Sequence, residues 1–86
     1  MQSRFRKAAA GASPPTLDVS ETICLSMTAN GKGLLDIAAA LGVPVPHAEV
    51  ILLRAEEKLG ANNRLHAVSL AMLYGILDIG AILKPE

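Results

Sequence analysis

The sequence predicts an all-α fold of four helices, and three observations support this prediction. Half of the 86 residues are apolar, but Phe5 and Tyr74 are the only aromatic residues. An aliphatic core of this kind suits packed helices better than strands. Apolar residues recur at helical spacing in four stretches, and Asn, Gly and Pro separate these stretches. The length allows one domain with a modest core.

The first helix is expected from Val19 to Ala29. Asp18 stands at the N-cap position, and Glu21 follows three residues later, so the two side chains can form a capping box. The pair Asn30-Gly31 ends the helix, since either residue tolerates the left-handed conformation. The residues expected to face the core are Cys24, Leu25 and Thr28.

The second helix is expected from Leu34 to Leu41, with Gly33 as its N-cap and Gly42 in the turn that follows. Pro44 and Pro46 then fall in the first turn of a third helix, where a missing N–H is harmless. The residues expected on the core side of the second helix are Leu34, Ile37, Ala38 and Leu41. The stretch from Gly31 to Gly60 therefore predicts a helix-turn-helix.

The third helix is expected from about Val45 to Lys58. Its core stripe consists of Ala48, Leu52, Ala55 and Leu59. Half a turn away lie Pro46, Val50, Leu53, Arg54 and Glu57, with His47 and Glu49 on the flank. This outward surface is where a recognition helix meets the edges of DNA bases.

A fourth helix follows, capped by Asn62 or Asn63, and its pattern from Arg64 to Leu77 is apolar nearly all round. One side can pack on the other helices, and a second apolar side favours self-association. The residues expected in a dimer interface are Leu65, Ser69, Leu70, Met72, Leu73 and Ile76.

A membrane span is the alternative interpretation of the stretch from Leu65 to Leu83. Arg64 and His66 at its start, and Asp78 with two glycines inside it, make the stretch short and interrupted. We therefore expect a dimer helix and no membrane contact. The domain should span residues 17–80, with residues 81–86 as a C-terminal tail.

Residues 1–16 have no sustained apolar period and contain the pair Pro14-Pro15, so they predict a flexible arm. Its basic residues are Arg4, Arg6 and Lys7. Two interpretations stay open: an ordinary mobile terminus, which we prefer because basic termini are common, or an arm that lies along DNA phosphates or in a minor groove. The arm lacks the apolar segment of a signal peptide, so we expect a cytoplasmic protein.

No group of residues predicts catalysis. The single cysteine, Cys24, cannot form an internal disulfide and lacks a His–Asp pair or a second thiol to activate it. His47 and His66 fall on different helices, without cysteines or carboxylates at metal-ligand spacing. We expect neither a metal nor a cofactor.

Residues spaced without gaps from Leu17 to Leu77 resemble the LuxR-type helix-turn-helix domain of quorum-sensing and response regulators. They are Leu17, Glu21, Leu25, Ala29, Gly31, Asp36-Ile37-Ala38, Leu41, Lys58-Leu59-Gly60, Asn63-Arg64, Ala67-Val68 and Gly75. The resemblance implies a four-helix domain with the third helix in the major groove. It also implies a homodimer through the fourth helix on a two-fold DNA site, and an N-terminal ligand-binding or receiver domain that has no counterpart here.

The departures from the family pattern fall on the DNA side. The family commonly has Ser-Asn-Lys where this chain has Gly33-Leu34-Leu35, and Ser, Thr-Val and His where it has Pro44, His47-Ala48 and Ile51. From Leu17 onward five basic residues face eight acidic ones, which weakens non-specific attraction to a polyanion. The cations that remain for DNA are Lys32, Arg54, Lys58, Arg64 and those of the arm, whereas Glu49, Glu56 and Glu57 repel phosphates.

Two functional hypotheses follow. In the first, the chain is a small transcription regulator that binds double-stranded DNA as a dimer. In the second, the same surface docks on another protein, such as a larger transcription regulator that the domain inhibits or modulates. The residues expected in the DNA-binding or docking surface are Lys32, Leu35, Val45, Pro46, His47, Glu49, Val50, Leu53, Arg54 and Lys58.

Overall fold

A computed structural model describes residues 15–78 of the chain. Over this range the chain forms four α-helices and no strand, which confirms the all-α prediction. The helices are α1 (Val19–Ala29), α2 (Leu34–Leu41), α3 (Val45–Leu59) and α4 (Arg64–Leu73). The three basic residues of the predicted arm and the predicted tail at 81–86 lie outside the described residues.

The start of α1 is closed by the predicted capping box. The Glu21 N–H donates to Asp18 Oδ1 at 2.8 Å, and the Asp18 N–H donates to Glu21 Oε1 at 2.9 Å. Both bonds satisfy amide groups that have no partner inside the helix. α1 has the predicted bounds, and its start could be predicted because the capping box lies within four consecutive residues.

The corner between α2 and α3 bends the chain by 98°, within the range of about 90–120° found in helix-turn-helix pairs. Gly42 makes the corner, since its φ of 70° and ψ of 35° are left-handed and its N–H still donates to Ala39 at 3.2 Å. One detail of the prediction is wrong: Pro44 is the N-cap of α3, with an extended ψ of 152°, and only Pro46 lies in the first turn.

The core lies around α3, which packs against each of the other helices. All four predicted core residues of α3 are buried, and Ile51 joins them. Several core positions are alanines, which let the helix axes approach closely. The buried apolar residues are Cys24, Leu25, Ile37, Ala38, Ala48, Ile51, Leu52, Ala55, Leu59, Ala67, Val68, Ala71 and Leu77.

The last helix is shorter than its apolar pattern suggests. It ends at Leu73, and Gly75 follows with a left-handed φ of 78°. The chain then turns back, so that the Ile76 and Leu77 N–H groups both donate to the Ala71 carbonyl at 2.8 and 3.1 Å. This turn places Leu77 in the core with 6% of its surface exposed, which a continuing helix would not do.

None of the described helices is by itself long and apolar enough to cross a bilayer. The bent pair α2–α3, taken together, has the length and the apolar composition of a span.

Candidate functional site

The outward surface of α3 is exposed and carries an apolar centre. We use the name outer face for Pro46, His47, Val50, Leu53, Arg54 and Glu57, all of which are exposed. Val50 and Leu53 keep 49% and 48% of their surface in contact with solvent. Half-turn geometry therefore located this surface correctly from the sequence.

An open groove of about 440 Å³ runs along the outer face. Its lining, which we call the α3 groove, consists of Val50, Leu53, Arg54, Glu56, Glu57 and Ala61. At the start of α2, the helix before the corner, Leu35 is 76% exposed, and Lys32 and Asp36 are exposed as well. The two helices together present aliphatic side chains between scattered charges.

Three residues expected at this surface are held elsewhere. Val45 is half-buried and packs against the core. Glu49 is half-buried in an ion pair with α4, and Lys58 is paired with α1. The residues predicted for this surface therefore fall into two groups. Some are exposed, and the others pack on the core or form ion pairs between helices.

The Lys58 ammonium reaches across to a buried carboxylate on α1. Its Nζ lies 2.8 Å from Glu21 Oε1, the same oxygen that accepts the Asp18 N–H. Glu21 is completely buried, whereas the Lys58 side chain is 39% exposed. A buried carboxylate is costly unless a cation and hydrogen bonds compensate it, so Lys58 stabilises the fold at this point.

Arg64, at the start of α4, bridges two carboxylates of α3. Its Nε donates to Glu56 Oε2 at 2.8 Å, and its Nη2 donates to Glu49 Oε2 at 3.2 Å. Burial works against the charge, but the two carboxylates outweigh it and raise the pKa of Arg64 above its ordinary value. Because these ion pairs hold Arg64 and its two carboxylate partners together, none of the three groups is an independent charge at the surface.

The positive charges on the C-terminal half of α3 act on the start of α1. The Asp18 pKa is lowered, chiefly because its carboxylate accepts the Glu21 N–H, against a smaller opposing effect of burial. The Ser20 hydroxyl and the positive charges of Lys58 and Arg54 lower it further. The chain therefore enters the domain beside the Arg54 and Lys58 end of α3.

The charges left at the outer face are few. Within residues 15–78, Arg54 and Glu57 of the outer face, and Lys32 and Asp36 at the start of α2, are exposed and form no ion pair within 4 Å. The local sequence does not distinguish these exposed charges from Lys58 and Arg64, because the ion pairs that neutralise Lys58 and Arg64 join residues 8 to 37 positions apart.

The predicted dimer residues of α4 also divide. Leu65 and Leu73 are 76% and 81% exposed, and Ser69 between them is exposed. Leu70, Met72 and Ile76 are half-buried against the core of their own chain. An open pocket of about 830 Å³ adjoins this surface, lined by Ser69, Met72, Leu73, Gly75, Leu77 and Asp78.

The residues considered for catalysis or metal binding lie apart. Cys24 is buried, and burial raises the pKa of its thiol, with smaller contributions from the surrounding charges. His47 is exposed on the outer face, while His66 Nδ1 accepts the Asn62 N–H at 3.0 Å. Across residues 15–78 no three His, Cys, Asp or Glu side chains are grouped closely enough to hold a metal ion.

No protein-family model matches the chain, and no curated protein matches its sequence. The LuxR-type resemblance therefore depends on the spacing of the residues that carry it and stays a prediction.

Proposed function

We propose that this chain is a small LuxR-type transcription regulator that binds double-stranded DNA with α3 in the major groove. The observation that carries the proposal is the exposed outer face of α3, presented beyond a helix corner of 98°. A second helix held at such an angle can enter the major groove while the first crosses the DNA backbone.

The outer face offers a limited set of base contacts. Arg54 is exposed and can donate two hydrogen bonds to a guanine, the commonest specific contact in the major groove. Val50 and Leu53 suit the methyl groups of thymine, and His47 lies in the first turn of α3, the part of a recognition helix that reaches bases. Such a surface favours a site that combines a guanine with neighbouring A·T pairs.

Phosphate contacts are scarce, and this sets the expected salt dependence. With Arg54 assigned to a base, Lys32 is the exposed, unpaired cation of the described residues that stays available for phosphates, and Arg4, Arg6 and Lys7 add three in the arm. Each neutralised phosphate contributes about −0.9 to the slope of log K against log salt, so four contacts give about −3.6 per protomer and one gives about −0.9.

Dimerisation through α4 completes the proposal. Leu65, Ser69 and Leu73 are spaced by four residues and form one exposed stripe of the helix. Two such stripes can pack in a two-fold arrangement, which would place two copies of α3 on symmetric half-sites.

A second candidate function is docking on another protein, and the exposed aliphatic surface favours it. Leu35 on α2 and Val50 and Leu53 on α3 are exposed large apolar residues, and Lys58 and Arg64 are engaged in ion pairs within the domain. An apolar patch with charges at its rim is typical of protein interfaces. The partner in this case is a larger transcription regulator whose activity the domain modulates.

Fluorescence anisotropy with duplex DNA across a salt series tests the DNA hypothesis. We expect binding that weakens steeply with salt, and a slope reduced from about −3.6 to about −0.9 per protomer in the triple variant R4A/R6A/K7A. Low-salt affinity weaker than about 0.1 mM, below ordinary non-specific binding, would rule the hypothesis out.

Leu53→Arg separates the two candidates, with Val19→Arg as a control that adds the same charge at an exposed position of α1, outside the outer face and the α4 stripe. If the outer face lies on DNA, Leu53→Arg binds duplex DNA more tightly than both the parent protein and Val19→Arg. If the outer face docks on protein, Leu53→Arg gains no DNA affinity over the control and loses binding of the partner regulator, which Val19→Arg retains.

A further inference from the structure

We propose that in the free protein the segment Arg4–Lys7 occupies the α3 groove, with Phe5 against Val50 and Leu53 and its basic neighbours beside Glu57. The segment would then cover the surface that the proposed function assigns to DNA. The inference concerns the protein without DNA, so it is true or false independently of that function.

The first support is the position at which the chain enters the domain. Glu21 Oε1 accepts both the Asp18 N–H at 2.9 Å and the Lys58 ammonium at 2.8 Å. One oxygen therefore joins the residue before α1 to the last turn of α3. The described chain therefore enters α1 beside the last turn of the helix that carries the groove.

The second support is the length of chain between Phe5 and the first described residue. Nine residues lie between Phe5 and Pro15, the first described residue, and the ten Cα–Cα steps that join the two span up to about 35 Å when extended. The 15 residues of α3 cover about 22 Å. Phe5 can therefore reach any point along the groove.

The third support is the match of chemistry. The groove has an aliphatic floor, with Val50 and Leu53 about half exposed. Among the described residues, Glu57 is the carboxylate of the groove lining that forms no ion pair, since Glu56 is paired with Arg64. The segment places Phe5, the only phenylalanine of the chain, between Arg4 and Arg6. An aromatic ring with flanking guanidinium groups fits an aliphatic groove with a free carboxylate at its edge.

Long-range electrostatic attraction also favours this contact. The first 16 residues carry three basic and no acidic side chains, whereas the remainder of the chain carries three more acidic than basic ones. The two parts attract each other, and the short connection keeps the local concentration of the segment high.

Paramagnetic relaxation in the full chain tests the proposal without DNA. Ser3→Cys accepts a nitroxide label, whereas Cys24 is fully buried and stays unlabelled, which the parent protein verifies. We expect the amide signals of Val50, Leu53 and Ala61 to lose more than half their intensity, and that of Leu73, at the far end of α4, to change little. Uniform broadening, or none in the groove, would overturn the proposal.

Variants identify the contacts. We expect Phe5→Ala and Glu57→Lys each to restore at least half of the lost intensity, and Asp36→Lys, an equal charge change outside the groove lining, to restore little. Equal effects of the two lysine variants would contradict a specific contact. Broadening of ¹⁵N-labelled parent protein mixed with unlabelled spin-labelled protein would show the segment on a second copy, which also overturns the proposal.

Discussion

At the scale of single residues, Glu21 is the buried charged group of the described domain. Its Oε1 accepts two hydrogen bonds, while its Oε2 is buried without a partner within the described residues. The Glu21 carboxylate therefore both caps α1 and attaches α1 to α3. Lys58, which sequence analysis assigned to the DNA surface, compensates its charge.

Lys58→Met should lower the free energy of unfolding by about 2 kcal/mol, because it leaves the Glu21 carboxylate buried without its cation. Glu21→Gln should cost less, since an amide oxygen can still accept from the Asp18 N–H and from Lys58. Urea unfolding followed by circular dichroism measures both changes. Arg54→Met, on the exposed outer face, is the control and should stay within about 0.5 kcal/mol of the parent protein. Equal losses in Lys58→Met and Arg54→Met would contradict a role of the buried pair.

At the scale of helices, short signals set most of the boundaries. Asp18 begins α1 with a capping box, and Gly42 ends α2 with a left-handed residue that directs α3 away at 98°. The corner is therefore held by the backbone conformation of one residue as well as by the packing of the helices it joins.

Gly42→Ala should destabilise the domain by about 1 kcal/mol, because an L-residue pays that amount to adopt a left-handed conformation. A Cβ at this position meets no atom within 4 Å, so crowding adds nothing. Gly42→Asn is the matched control and should cost clearly less, since Asn tolerates this conformation better. Thermal unfolding of the three proteins compares them, and equal losses for Ala and Asn would be inconsistent with a conformational cause.

At the scale of the whole molecule, each of the four described helices exposes large apolar side chains, and two groups of them enter the proposed function. One is the outer face of α3, and the other is the stripe of Leu65, Ser69 and Leu73 on α4. A single core of this size cannot cover every apolar side chain. Because the two groups lie on different helices, the proposed function assigns the outer face to DNA or a partner protein and the α4 stripe to a second copy.

Leu73→Glu should weaken self-association at least tenfold while leaving the helix content unchanged, because the side chain is 81% exposed in the single chain. Sedimentation velocity over a concentration series measures the association. Leu35→Glu introduces the same charge at a leucine of similar exposure on α2 and should associate like the parent protein. A parent protein that is monomeric at all concentrations, or equal weakening by both substitutions, would exclude the α4 interface.

Much of the fold and part of the candidate site could be predicted from the sequence. Helix periodicity located the core residues of α3 and, half a turn away, the exposed Val50, Leu53 and Arg54. Interactions of this kind join residues within about four positions, so the local sequence contains both partners.

Other properties depended on packing between helices. Nothing in the local sequence indicates that Lys58 pairs with a carboxylate 37 positions away, or that Arg64 bridges Glu49 and Glu56. The apolar pattern also does not reveal that the chain turns at Gly75 after Leu73 and buries Leu77 instead of continuing as a helix.

The sequence by itself therefore determined the helices, the corner and the outer face of this protein, because caps, turns and periodicity act over a few residues. Only the tertiary structure decided which cations remain at that face and which side of α4 stays exposed, because charge pairing and burial depend on distances between helices.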